Sequence, residues 1–240
     1  DAALITAVAA ESEGSPLFVE ALIRQHSGRE LPLSLDHALQ AALERVDPPA
    51  QTLLQLCAVA GQPLARPLLA AAQLSAELER AALQQLRTRH LLRSTGDRLV
   101  PYHDRIREVV LRNLEPAALR TLHLRLALTL ERHDPDDPER LAFHFHHAAD
   151  DTRAGPLAAA AADRAFAALA FDRAATLYAQ ALAWTPNPQP SRTLALTIRH
   201  AESLVHAGRC GDAAPRYLAA AALVASTDPH AALALRRQAS

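Results

Sequence analysis

Two stretches decide the architecture: Ala174-Ala175-Thr176-Leu177-Tyr178-Ala179-Gln180-Ala181-Leu182 and Ala213-Ala214-Pro215-Arg216-Tyr217-Leu218-Ala219-Ala220-Ala221. In each, a small residue is followed four positions later by tyrosine and seven later by alanine. That spacing puts all three on one face of a helix. Small residues let neighbouring helices approach closely, and the aromatic ring fills the gap between hairpins. The recurrence marks an internal repeat, and residues 116–240 read as helix after helix. Breaks are expected at His133-Asp134-Pro135, Asp150-Asp151, 186–190, 208–211 and Asp228-Pro229.

Composition agrees with a mainly α protein. Of 240 residues, 50% are hydrophobic but only 4% are aromatic, so alanine and leucine supply nearly all the apolar surface. Both are strong helix formers. With 7 glycines and few β-branched residues, a large sheet is not expected. The net charge of −1 gives no support for a general nucleic-acid-binding surface. Cys57 and Cys210 form no CxxC pattern, so neither a disulfide framework nor a zinc site is expected. No apolar run reaches transmembrane length, and the expected location is cytoplasmic. The chain opens inside a helical pattern and contains no methionine, so it reads as a segment of a longer protein.

Upstream, residues 1–29 read as the end of a small helical bundle, with a helix beginning at Pro16. Residues 30–115 read as a compact unit. Helices are expected at 34–46, 50–60, 66–72 and 75–89, the last capped by Ser75. One hairpin follows, from Leu91-Leu92-Arg93-Ser94 through Thr95-Gly96-Asp97 to Arg98-Leu99-Val100-Pro101-Tyr102. A closing helix starts near Asp104, its expected N-cap. Helices, a small hairpin and a closing helix are the outline of a winged-helix domain. The tyrosine and alanine spacing downstream resembles the second helix of a tetratricopeptide repeat. A generic antiparallel helical array would give the same architecture.

Three motifs in order resemble the STAND-type signalling ATPases of bacteria, those joined to serine/threonine protein kinases, adenylate cyclases or LuxR-type regulators. They are Gly14-Ser15-Pro16-Leu17-Phe18-Val19-Glu20-Ala21-Leu22; the stretch from Leu31-Pro32-Leu33-Ser34-Leu35 to Leu56-Cys57-Ala58-Val59-Ala60-Gly61; and Tyr102-His103-Asp104-Arg105-Ile106-Arg107-Glu108-Val109-Val110. Leu122-His123 and Arg140-Leu141-Ala142-Phe143-His144 extend the last. The resemblance implies three parts: the end of an NTPase helical lid (1–29), a winged helix (30–115) and a superhelical sensor array (116–240). ATP or ADP with magnesium would belong to a nucleotide-binding core upstream. No GxxxxGK[ST] occurs here and lysine is absent, so no hydrolysis is expected of these residues. The expected partners are that core and a protein or small-molecule signal on the array. DNA and membranes are not expected. The output domain implied first is a protein kinase.

The resemblance also carries two residues over. The proline that packs near adenine in relatives falls on Pro16, where an ordinary helix-start proline is the alternative. The histidine of the MHD-like motif, which touches the β-phosphate of ADP, falls on His103, with Tyr102 where methionine is usual. A cap or packing role at the strand-to-helix junction is the alternative for His103.

Further candidates read as structural. His123, His133, His144, His146 and His147 lack a completing ligand set for a metal. Asp134, Asp136, Asp137 and Glu139 read as a solvated turn that caps the next helix. Ser94 and Ser191 have no identifiable partners for nucleophilic chemistry. Trp184 is expected to plug the end of a repeat hairpin, with an exposed tryptophan that anchors a partner as the alternative. Two rival functions are weighed: an interaction scaffold without nucleotide switching, and a DNA-binding regulator. For the latter, residues 66–72 are taken as the third helix, which has one arginine and no side chains suited to base edges.

Overall fold

A computed structural model describes residues 6, 8–9, 18–19, 22–23, 35–186 and 189–239. Two compact units result, Asp1–Thr129 and Leu130–Ser240. Pro16 lies outside the described residues.

In the first unit, α1 (Leu35–Glu44) leads to α2 (Pro48–Ala60). Pro48 and Pro49 open α2 where no backbone donor is needed, and Gly61 ends it at φ +70°, a conformation glycine adopts without strain. Leu53, Leu54, Leu56, Cys57 and Ala58 of α2 are all buried, so this helix runs through the core. Burial pushes the Cys57 thiol up to about 12, which keeps it protonated and unreactive.

Next come β1 (Leu64–Ala65), a 3-10 helix (Arg66–Ala72) and α3 (Ala76–Thr88). The hairpin β2 (Leu92–Thr95) and β3 (Arg98–Pro101) follows, then α4 (Asp104–Arg112). The sheet is antiparallel in the order β1-β3-β2, with Leu64 opposite Leu99 and Thr95 opposite Arg98. The expected hairpin therefore gains a third strand. With only two residues, β1 is too short to leave an alternating pattern in sequence.

The helix at 66–72 is 3-10 rather than α, and the helix feeding the hairpin is α3. Position 66–72 is thus not the third helix of the unit. Ser75 caps α3 as expected, accepting the Leu78 N–H at 3.3 Å.

Helix α5 (Pro116–His133) spans the division between units. The second unit continues with α6 (Pro138–His147), α7 (Asp151–Ala167), α8 (Phe171–Trp184), α9 (Pro190–His206), α10 (Cys210–Val224) and α11 (Pro229–Gln238). Sequential neighbours pack on each other. The repeated stretches lie on α8 and α10. Ala174, Tyr178 and Ala181 are each 0% exposed, and Ala213, Tyr217 and Ala220 are also buried, Tyr217 at 5%. Alanine across a contact brings helix backbones close, and the two tyrosines provide the bulk that alanine lacks.

Tyr178 Oη donates to Asp163 of α7 at 2.5 Å, and the Arg199 guanidinium of α9 lies 5.9 Å from its ring centroid. One residue thus ties three successive helices. Burial, reinforced by the Asp163 carboxylate, pushes the Tyr178 phenol up to about 12, so it acts as a neutral donor.

Three connections in this unit share one turn. After α6, α7 and α9 the chain enters the left-handed region at Ala149, Leu169 and Gly208. The next N–H then closes on the carbonyl five residues back: Asp150 on Phe145, Ala170 on Ala165, Arg209 on Leu204. These are Schellman closures, which satisfy the last helical carbonyls. Only Gly208 is unstrained there; Ala149 and Leu169 carry a β-carbon in a conformation costing roughly 1–2 kcal/mol. Leu169 is 73% exposed, so its side chain offers little packing in return. Replacement Leu169→Gly is expected to raise stability by up to about 1 kcal/mol, read by urea denaturation, the relief of strain outweighing the entropy glycine adds to the unfolded chain.

Gly155 sits at the tightest approach. A β-carbon there would lie 2.4 Å from Thr185 Oγ1 and 3.1 Å from Thr185 Cα, at the end of α8. Backbone on one side or the other would have to move. Gly155→Ala is expected to destabilise the chain by about 1–3 kcal/mol in denaturant melts. An unchanged midpoint would show that α7 and α8 are not in such close contact.

Candidate functional site

Two places collect functional side chains, one in each unit. The first is the N-terminus of α4, where the chain leaves β3. His103 is extended there (φ −145°, ψ 149°), and its Nδ1 accepts the Arg105 N–H at 3.2 Å. His103 is therefore the N-cap, and Asp104 lies in the first helical turn, where its charge suits the helix dipole. Asp104 was the expected cap, but the imidazole takes that place. With Nδ1 accepting, a neutral ring carries its proton on Nε2 and can donate from that side. The ring is exposed, and its edge meets Phe18 at 4.6 Å between centroids. Phe18 itself is only 1% exposed. Phe18, a residue of the first motif, thus touches His103 of the last.

Helix α4 is held firmly behind this point. Asp36 of α1 forms an ion pair with Arg105 at 2.8 Å and accepts from Arg112, whose hydrogen bond does most to hold the Asp36 carboxyl below its usual range. Arg107 Nε donates to the Ala58 carbonyl of α2 at 2.9 Å. His103 therefore projects from an element fixed to two other helices.

The second place is a cleft of about 450 Å³ bounded by α8, α9 and α10. Ala175, Ala179 and Ala183 of α8 line one side, with Trp184 at the end; His200 and Leu204 come from α9, Arg209 from the N-cap of α10 and Arg216 from farther along that helix. Trp184 is half-buried and stacks on His146 at 4.1 Å with 12° between planes, which fixes its ring. Trp184 also packs against the alanine-rich core cluster at the end of α8, as expected of a plug at a hairpin end.

Arg209 is pinned by Asp212 at 2.8 Å and Asp172 at 3.6 Å. Arg216 makes no ion pair with any described residue. His200 is 6% exposed, and its Nδ1 has no hydrogen-bond partner. Burial first, then the Arg216 and Arg209 charges, push its pKa down to about 4, so the ring is neutral at pH 7. Of these cleft residues only Trp184, the single tryptophan, stands out in sequence. A further signal was the Arg209 and Arg216 pair, seven apart and so on one helical face.

The other candidates have structural partners. His146 Nδ1 lies 2.7 Å from Asp151, and His147 Nδ1 donates to the Phe143 carbonyl at 2.8 Å. His144 is wholly buried. No group of His, Cys, Asp and Glu among the described residues could hold a metal ion. Asp137 caps α6 by accepting the Arg140 N–H at 3.1 Å. Ser94 accepts from Arg87 at 2.7 Å. The helix before the hairpin, α3, carries Glu77 and Glu79 in its first turn, where a DNA-reading helix would meet phosphates and base edges. No helix among the described residues is long and apolar enough to cross a membrane.

No protein-family profile matches the chain, and no curated protein matches it. Among solved structures it is similar to a Signal Transduction ATPase with Numerous Domains (STAND) protein with a tetratricopeptide repeat sensor from Pyrococcus horikoshii, at 12% identity and a TM-score of 0.45. That likeness covers 96% of this chain and 40% of the other, so the chain spans about two-fifths of that protein's length.

His200 generates a pH prediction. Its pKa is about 4 in the folded chain against 6.5 for an ordinary histidine, so between those values the unfolded state binds more protons. The stability it contributes is fully present above about pH 6.5 and is lost as pH falls toward 4. Moving from pH 7.5 to 5 is expected to remove about 2 kcal/mol through this group. In urea melts, His200→Asn should flatten that part of the pH dependence.

Proposed function

We propose that this chain is the regulatory and sensor segment of a multidomain signal-transduction ATPase, without catalytic residues of its own. Residues 1–29 would be the end of the NTPase lid, 30–115 a winged helix used for intramolecular docking, and 116–240 the tetratricopeptide-like sensor. The observation that carries this reading is the contact between Phe18 and His103, at 4.6 Å. It brings together one residue from each of the two motifs that resemble nucleotide-contacting motifs of the family. The Nε2 side of His103 would donate to the β-phosphate of ADP held, with magnesium, by an upstream core. Pro16, two residues before Phe18, would pack on the adenine.

Loss of the imidazole contact on opening would report nucleotide state. A signal bound to the α8–α10 cleft would shift the equilibrium only if it binds one state better. The output domain would be a serine/threonine protein kinase, on family resemblance. Helix α3 does not favour DNA, since its leading residues are acidic.

The test is nucleotide retention by a longer chain that includes the upstream core. The wild type is expected to co-purify with ADP. His103→Ser, which keeps a capping oxygen for the Arg105 N–H, is expected to weaken ADP binding by about tenfold or more, roughly one charge-assisted hydrogen bond. If neither protein holds nucleotide, the switch is wrong and the segment is an interaction scaffold. If ADP binds equally to both, His103 is only a cap.

A further inference from the structure

We propose that the cleft between α8, α9 and α10 binds a small organic monoanion, its carboxylate on Arg216 and its apolar body against Ala179, Ala183 and Trp184. This rests on the sensor reading above and names the class of signal that the array would take.

Three observations converge. The first is an unsatisfied group. His200 lines the cleft, is 6% exposed, and has an Nδ1 without a hydrogen-bond partner. A buried polar nitrogen left unpaired is costly; Nδ1 is itself closed off from the cleft, so a ligand hydroxyl or amide would satisfy it only after the ring turns toward the cleft.

The second is the balance of charge. Arg209 already faces Asp212 at 2.8 Å and Asp172 at 3.6 Å, while Arg216 makes no ion pair among the described residues. The cleft thus offers one uncompensated guanidinium, whose planar fork suits a carboxylate. A phosphate dianion would gain that same arginine but meet the field of Asp172 and Asp212. His200 adds no charge at pH 7, because burial and the two guanidiniums hold it neutral.

The third is shape. About 450 Å³ suits a compact small molecule. Alanines along α8 leave that volume open, and Trp184 presents a ring already held by stacking on His146. An apolar body can pack there without reordering side chains, which reduces the entropic cost of binding.

The experiment is a nuclear magnetic resonance titration of the full chain at pH 7.5 with three probes at millimolar concentration: phenylacetate, its neutral isostere phenylacetamide, and phenyl phosphate. Phenylacetate is expected to shift the Trp184 indole, the Ala179 and Ala183 methyls and the His200 ring, and to bind at least tenfold more tightly than phenylacetamide. Arg216→Ala should weaken phenylacetate by a similar factor, with the rest of the spectrum unchanged, and Arg216→Lys should recover part of the loss. Equal binding of phenylacetate and phenylacetamide would overturn the anion assignment while leaving the cleft as a ligand site. Tighter binding of phenyl phosphate than phenylacetate would overturn the monoanion assignment. No cleft shift with any probe would overturn the inference entirely. In that event the ADP measurement still judges the sensor reading separately.

Discussion

Close packing of helix against helix through alanine is the constraint on which the second unit depends. Alanine brings little apolar area of its own, so an alanine seam stabilises only when backbones come near enough for many small contacts to add up. Ala158, Ala162, Ala174 and Ala181 are all fully buried in one cluster, with Tyr178 as its largest enclosed side chain. Ala220 and Ala221 play the same part around Tyr217 in the next cluster. Gly155 takes this to its limit, where even a methyl group would collide with Thr185. The tyrosines restore volume where two hairpins meet, and the Tyr178 hydroxyl adds a directed bond to Asp163.

The same economy of side-chain volume opens the cleft. On α8, the face with Ala174, Tyr178 and Ala181 is buried, while Ala179 and Ala183 on another face stay exposed beside α9 and α10. A helix built of larger residues on both faces would fill that space. What lines it instead is polar and sparse: His200 of α9, Arg209 at the N-cap of α10 and Arg216 farther along that helix. The Schellman turn at Gly208 delivers Arg209 directly to the cleft, since its N–H closes the turn on the Leu204 carbonyl. Local backbone chemistry and the placing of a functional side chain are therefore one event.

Much of this was legible in sequence because it is periodic. The tyrosine and alanine repeat, the helices broken at proline and aspartate, the Ser75 cap and the glycine hairpin all leave local signals. The connection at Ala168-Leu169-Ala170 leaves none. Nothing there is a turn residue, and helices α7 and α8 read as one continuous alanine-rich run. The fold forces Leu169 into the left-handed region because hairpin packing outweighs its local preference. Strand β1 escaped for a different reason: its pairing with Leu99 and Arg98 is long-range and its length is two residues. That miss moved the helix taken for DNA reading onto residues 66–72 instead of α3. At the candidate sites, His103 was visible through its motif, and the cap role weighed as its alternative is the one the structure shows, while Asp104, also read as a cap, lies in the first turn. The cleft was not visible, because His200 and Arg216 are unremarkable alone and nothing local links them to Trp184, the one cleft residue that stood out.

The claim at the centre of this account is that the seam tyrosines hold α8, α9 and α10 together as one cooperative body whose walls form the cleft. Amide hydrogen exchange on Tyr217→Ala, read helix by helix, tests it most directly. The account predicts that protection falls together across α9 and α10 and at the α8 residues lining the cleft. Loss of protection confined to the turn of α10 around residue 217, with α8 and α9 unchanged, would contradict it.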